Sequence, residues 1–160
     1  MEKIFLIGFM GAGKTTVGRE LALILGWNFV DTDKVIENKV GKTISDIFSE
    51  YGEIFFRVEE KEVLNALLNQ KKVVIASGGG MPIFFDNLNV MKKSGLVVYL
   101  FVNKDIIKKR LIQEDEHSKR PLAVNAKLDN LIQLREPFYR RAHLIIDCSD
   151  LSPFEIANKI

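Results

Sequence analysis

The sequence predicts a three-layer α/β/α domain with a central five-stranded parallel sheet. Three observations carry that prediction. Five short apolar runs alternate with segments of helical period, the order expected of strands and crossover helices. Two of the runs, KVVIAS and LVVYLFV, are almost continuous in Val, Ile, Leu and aromatic residues, as strands buried on both faces of a parallel sheet are. The chain has 160 residues, 47% of them hydrophobic, which suffices for one domain with a real core and hardly for two.

The elements follow in order. The run IFLIG (4–8) reads as the first strand and the period of 14–25 as the first helix. NFVD (28–31) is the second strand, followed by helical segments at 33–39, 43–50 and 53–70. KVVIAS (72–77) and LVVYLFV (96–102) are the third and fourth strands. Asn103 reads as the cap of a helix over 104–113. A segment of helical period at 125–141, the strand HLIID (143–147) and a last helix at 152–159 complete the chain. Residues 32–60 form a mainly helical insertion between the second and third strands. The stretch IQEDEHSKRPLAV (112–124) is polar and interrupted by Pro121, and reads as a mobile cover, or lid. The whole chain, 1–160, reads as a single domain.

Composition narrows the function. A net charge of +2 is too small to argue for a nucleic-acid partner. The single cysteine, Cys148, excludes an internal disulfide and a multi-cysteine metal site, and reads as a small buried hydrophobe. No apolar stretch reaches the ~20 residues of a membrane span, and the first residues lack the layout of a signal peptide. A cytoplasmic protein is expected. His117 and His143 have no second ligand-type neighbour at metal spacing and read as non-catalytic.

In α/β sheets ligands bind at the carboxyl ends of the strands. The chemistry-bearing residues stand there: Gly8–Thr16 after the first run, Asp31 and Asp33 after the second, Gly78–Gly80 after the third. Gly8, Gly13, Lys14 and Thr15 fit G-x-x-x-x-G-K-[ST]. Glycines let the backbone curl so that N–H groups surround phosphate oxygens, and the helix that follows offers free N–H groups and the positive end of its dipole. Lys14 then stands by the β- and γ-phosphates of ATP, and the Thr15 hydroxyl ligates Mg²⁺. Gly11, Ala12, Gly13, Lys14, Thr15 and Thr16 are the nucleotide-binding set. The dinucleotide pattern G-x-G-x-x-G does not fit, because Gly11 and Gly13 are followed by Thr16.

The receiver of the phosphate is narrowed by exclusion. No Asp stands three residues before a Gly, so the D-x-x-G of a GTPase is absent, and VNKDI (102–106) places its Asp one residue early for N-K-x-D. The H-R-D and D-F-G of protein kinases are absent too. The chain is too small for a large ATPase engine. A small-molecule kinase remains, and it needs an acceptor pocket. Asp31 and Asp33 suit a division between a metal and a substrate hydroxyl, or a helix cap. Arg57 follows the apolar IFF, and Glu60, one helical turn on, can hold its guanidinium and leave donors free for a carboxylate. Arg135 stands in LREPFYRRA with Arg140 and Arg141. Gly78, Gly79 and Gly80 allow a ligand close to the backbone.

Taken together, GFMGAGKTTVGRELA (8–22), DTD (31–33), IFFRVEE (54–60), SGGG (77–80), RPL (120–122) and REPFYRRA (135–142) resemble the shikimate kinases, nearly end to end. The resemblance implies a P-loop kinase fold with a helical substrate-binding insertion and a lid, and transfer of the γ-phosphate of MgATP to the 3-hydroxyl of shikimate, a step toward chorismate and the aromatic amino acids. It gives Asp31 to the surroundings of the metal, through water, and Asp33 to the shikimate hydroxyls, where it orients the attacking oxygen or accepts its proton. It gives Arg57 and Arg135 to the shikimate carboxylate and Gly78, Gly79 and Gly80 to contacts through backbone N–H. It places Arg120 in the lid over ATP, where with Lys14 and Asp33 it belongs to the catalytic set, and Arg110 beside the adenine. A basic residue common in the family near the adenine is missing from CSDLSP (148–153). Shikimate and ATP are the implied partners of a monomer, with no nucleic acid and no membrane. A gluconate or nucleotide kinase on the same fold, and a nucleotide-binding regulatory module without chemistry, are the rivals; Lys14, Asp33 and Arg57 are all present, which counts against the last.

Overall fold

The computed structural model describes residues 1–114 and 121–160. Strands β1 (Lys3–Ile7), β2 (Asn28–Asp31), β3 (Val73–Ala76), β4 (Leu96–Phe101) and β5 (Leu144–Asp147) form one sheet in the order β2-β3-β1-β4-β5. Every pairing is parallel. Strands β1 and β3 are buried at every position, and β4 at all but its two ends, which is why these read as continuous apolar runs. Strand β2, at the sheet edge, is only partly covered.

Helix α1 (Lys14–Leu25) turns Val17, Gly18, Leu21 and Ala22 inward, one stripe of a 3.6-residue period. It packs so closely on the sheet that a Cβ on Gly18 would lie 2.5 Å from Phe29 Cε2. Helices α2 (Thr32–Val40) and α3 (Ile44–Leu67) follow β2 and cross to β3. Gly52, at φ 84° and ψ 170°, breaks α3 inside. The break separates the two helical segments expected at 43–50 and 53–70, and a left-handed φ of that kind is readily adopted only by glycine.

Helix α4 (Asn87–Ser94) lies between β3 and β4, where the sequence suggests no element. It is short, only Asn87, Leu88 and Met91 are buried, and no capping side chain marks its start. Helices α5 (Lys104–Glu114) and α6 (Pro121–Tyr139) take in both ends of the stretch expected to be a loop over 112–124. Pro121 opens α6 rather than interrupting the chain, because a proline in the first helical turn gives up an N–H that has no partner there anyway. The rest of the expected lid, including Arg120 and His117, lies outside the described residues. Helix α7 (Pro153–Lys159) is closed by a capping box between Ser152 and Glu155. Among the described residues no helix is long and apolar enough to cross a membrane.

The remaining structural expectations resolve simply. Asn103 Oδ1 accepts from the Asp105 N–H at 2.8 Å and caps α5. His143 Nδ1 accepts from the Val97 N–H at 3.1 Å and ties the start of β5 to β4. Cys148 is buried, and burial pushes its thiol up to about 11.

Candidate active site

The site lies at the carboxyl ends of β1, β2 and β3. The turn after β1 enters α1 through Gly13, whose φ of 88° is left-handed. No side chain caps α1 and no acid stands in its first turn, whereas Asp31, Thr43 and Ser152 cap α2, α3 and α7. The first N–H groups of α1 and the positive end of its dipole therefore face the cavity without an internal acceptor. This suits an anion. Lys14 Nζ donates to the carbonyls of Gly8 at 2.8 Å and Phe9 at 2.9 Å. Part of the side chain stays accessible, but the ammonium sits beneath the turn, and burial lowers its pKa to about 8. Asp33 and Asp31 oppose that shift and Arg135 adds to it.

Thr15 Oγ1 donates to Asp31 Oδ2 at 2.9 Å. The other Asp31 oxygen accepts from the N–H groups of Asp33 at 3.0 Å and Lys34 at 3.4 Å, so Asp31 caps α2 while reaching Thr15. Asp33, the second residue of α2, makes no cap. Its pKa is raised, chiefly by burial and next by the Asp31 charge, against the pull of Lys14. A cavity of about 290 Å³ joins these groups and is lined by Gly13, Lys14, Thr15, Asp31, Asp33 and Gly78 among others.

A second cavity, of about 160 Å³, is lined by Asp33, Arg57, Glu60, Gly79, Gly80 and Arg135 among others. Met10, Asp33, Gly78 and Gly79 line both, so the two cavities share a wall. Arg57 is buried and doubly paired. Its Nη1 donates to Glu60 Oε1 at 2.7 Å, and its Nε and Nη2 donate to Glu53 Oε1 at 3.2 Å each. Glu60 is 1% exposed. Burial raises its pKa to about 7 although Arg57 pulls it down, and its Oε2 has no hydrogen-bond partner among the described residues. That oxygen and Asp33 Oδ1 both crowd Gly78, where a Cβ would lie 2.8 Å and 2.6 Å from them. A Cβ on Gly79 would lie 3.0 Å from Arg135 Nη1, and one on Gly80 would overlap the Arg57 guanidinium. The glycine run thus has a spatial reason: each member makes room for a charged side chain. A further cavity of about 200 Å³, lined by Tyr99, Ile107, Ile132 and Tyr139 among others, contains neither an aspartate nor a glycine.

The structure brings Lys14, Thr15, Asp31, Asp33, Arg57, Gly78, Gly79, Gly80 and Arg135 around these two joined cavities. Arg110 stands on the other side of the phosphate turn, where its Nη1 donates to the Gly11 carbonyl at 2.7 Å. Arg120 lies outside the described residues. Sequence reasoning missed four supporting groups. Thr32 is fully buried and its Oγ1 accepts from the Gly78 N–H at 2.9 Å. Tyr139 donates to the Gly79 carbonyl at 2.6 Å. Phe9 lies under Arg135, with 5.8 Å from its ring centre to Cζ. Glu53, one turn before Arg57, was open to the same spacing argument that found Glu60; the other three depend on contacts between distant segments.

Two joined cavities, one suited to a polyphosphate and one to a small carboxylate with hydroxyls, describe a phosphoryl-transfer site. A family model described as shikimate kinase matches residues 10–160. A shikimate kinase from Thermodesulfovibrio yellowstonii is 42% identical over 164 aligned residues, covering 100% of this chain and 93% of the relative. A shikimate kinase from a Sulfurihydrogenibium species is 40% identical over 162, covering 100% and 96%. Among solved structures, shikimate kinase from Acinetobacter baumannii in complex with shikimate superposes with a TM-score of 0.90 at 39% identity, covering 99% of this chain and 90% of that one.

Proposed function

The chain belongs to the shikimate kinase family, and on that premise we propose how its own residues transfer the γ-phosphate of ATP to the 3-hydroxyl of shikimate. The observation that carries the reading is the acceptor end. Two arginines, Arg57 and Arg135, converge on one glycine run, with Asp33 at the wall shared with the phosphate cavity.

ATP phosphates occupy the turn from Gly11 to Thr16. Lys14 exchanges its two carbonyl acceptors for phosphate oxygens and stabilises the charge that builds there. Arg57 and Arg135 hold the shikimate carboxylate, and the backbone of Gly78, Gly79 and Gly80 supports the ring. Asp33 takes the hydrogen bond of the 3-hydroxyl and keeps its oxygen in line with the γ-phosphorus. Phosphoryl transfer passes through a loose transition state, so this positioning matters more than strong basicity. The raised pKa of Asp33 suits it to accept the hydroxyl proton as the new P–O bond forms.

Mg²⁺ fits the oxygens present. Thr15 Oγ1 and Asp31 Oδ2 are hard donors 2.9 Å apart, and the described residues hold no larger carboxylate or histidine cluster. That suits an ion that keeps several waters and shares phosphate oxygens. Thr15 would hold it directly and Asp31 through water, and when bound it supplies neutralisation of phosphate charge.

In this reading residues 32–60 form the acceptor insertion of a single domain and Arg110 stands beside the adenine, while the part of the expected lid that holds Arg120 lies outside the described residues. The enzyme works as a monomer in this reading, and ATP as donor argues for the cytoplasm. The test is ADP release measured over shikimate, quinate, gluconate and nucleoside monophosphates. Shikimate should give the highest kcat/KM; a higher value for gluconate or a nucleotide would overturn the assignment.

A further inference from the structure

Arg57 has five N–H groups, and three are engaged: Nε and Nη2 to Glu53, Nη1 to Glu60. Among the described residues one N–H on each terminal nitrogen remains, two donors for a carboxylate. Such a pair is useful only if the guanidinium plane is fixed. The ion pairs do this incompletely, because the Glu53 side chain is half-exposed. The ring of Phe84 lies with its centre 4.1 Å from Arg57 Cζ, against 5.3 Å for Phe56 and 5.8 Å for Phe48. At that distance the ring supports the guanidinium from below, by packing and by its quadrupole.

The turn that presents Phe84 is specifically built. Ile83 N–H donates to the Gly80 carbonyl at 2.9 Å. Asn87, 2% exposed, donates its side-chain amide to the Met81 carbonyl at 2.9 Å and its backbone N–H to the Phe84 carbonyl at 3.3 Å. Phe85 has a φ of 53°, a left-handed backbone that costs a bulky L-residue free energy. Burial of Phe85 does not offset that cost, since its side chain is 55% exposed. The strained residue comes directly after Phe84, and its effect is to turn the chain away while the Phe84 ring stays under Arg57.

We propose that Phe84 is a positioning residue for the acceptor: its ring, held by the Gly80–Asn87 turn, fixes the plane of Arg57 so that the free N–H pair meets the carboxylate of the acceptor. This rests on the reading of Arg57 as the carboxylate grip. If Phe84 were only packing, another apolar side chain of similar size would serve.

The experiment compares Phe84→Leu, Phe84→Met and Phe84→Tyr with the parent, using shikimate and an analogue whose carboxylate is replaced by a neutral hydroxymethyl group. Arg57→Ala is measured alongside. Losing the aromatic face should raise the shikimate KM about 3- to 30-fold with kcat within about twofold of the parent. Phe84→Tyr should restore the parent value, and the analogue should not respond to any Phe84 variant. Phe84→Met carries the test if the leucine variant does not fold. A parent-like shikimate KM in the variants without a ring, or an equal rise for the analogue, overturns the positioning role. If Arg57→Ala fails to discriminate the two substrates, the carboxylate assignment falls and this role with it. If Arg57→Ala discriminates and the Phe84 variants do not, only the role of Phe84 falls.

Discussion

Gly80→Ala is the smallest change that tests the acceptor end. The backbone of Gly80 is not left-handed, so alanine meets no conformational penalty there. The obstacle is spatial: the new Cβ would overlap Arg57 Nη1 and stand 2.6 Å from Cζ and 2.7 Å from Nη2. Carbon atoms rest at about 3.5–4.0 Å from one another, so the guanidinium must retreat by roughly 1 Å. It has little freedom to do so, held by Glu60 at 2.7 Å and stacked on Phe84 at 4.1 Å. Loss of one charge-assisted hydrogen bond to the substrate carboxylate is worth about 1.5–3 kcal/mol. That predicts a rise of about 10- to 150-fold in the shikimate KM. The KM for ATP should stay at the parent value, because the phosphate turn is untouched. Gly79→Ala, with 3.0 Å to Arg135 Nη1, should show a smaller rise. The assay is coupled ADP release with shikimate varied at saturating ATP, then the reverse. A Gly80→Ala enzyme with an unchanged shikimate KM, or with an equal rise for ATP, would refute the placement of the carboxylate against Arg57.

Burial lowers the Lys14 pKa to about 8, and phosphate oxygens should raise it, so ATP binding at pH 8 should take up protons. Calorimetry in buffers of different ionisation enthalpy would read that uptake, which Lys14→Ala should abolish along with turnover while shikimate binding persists. Glu60 at about 7 holds a proton in the folded chain that the unfolded chain releases near 4.5. The stability it contributes is therefore present below about pH 4.5 and lost as pH rises through 7, a change of roughly 3 kcal/mol. Glu60→Gln should flatten that part of the curve in denaturant titrations from pH 4.5 to 8; an unaltered slope would show that another group is responsible. Thr32→Val keeps the shape but removes the acceptor of the Gly78 N–H, which leaves a buried donor unpaired at about 1–3 kcal/mol. Its Tm should fall by roughly 2–10 °C, and a parent-like Tm would mean that the N–H finds another partner.

The sheet was legible because its central strands are apolar on both faces, a pattern that loops and amphipathic helices do not share. Helix α4 was not, because it offers three buried positions in two turns and no cap. Pro121 misled because proline marks both loops and helix starts, and only the helix that follows decides between them. Within the candidate site, the groups that lie in local motifs could be named from spacing alone: the phosphate turn, the Asp31–Asp33 pair, the Arg57–Glu60 turn. Thr32, Tyr139 and Phe84 could not. Thr32 meets Gly78 and Tyr139 meets Gly79 across chain separations that no short-range pattern spans. Phe84 follows a glycine run, and nothing in MPIFFDN says which of its two rings turns toward Arg57.

The strand order has a consequence for how the enzyme is made. Strand β1 is the first element of the sheet in the chain, yet it lies in the middle, with Ile4 opposite Val74 on one side and Leu96 on the other. Both neighbours are distant in sequence, and closing such loops precedes any reward from the contacts they bring. During synthesis the turn from Gly8 to Thr16 therefore leaves the ribosome ahead of β3 and β4, and has no rigid strand beneath it until both have followed. Lys14 and Thr15, proposed to meet the nucleotide, are thus made before the two strands that set them in place, so a nascent chain halted before β4 should not yet retain ATP.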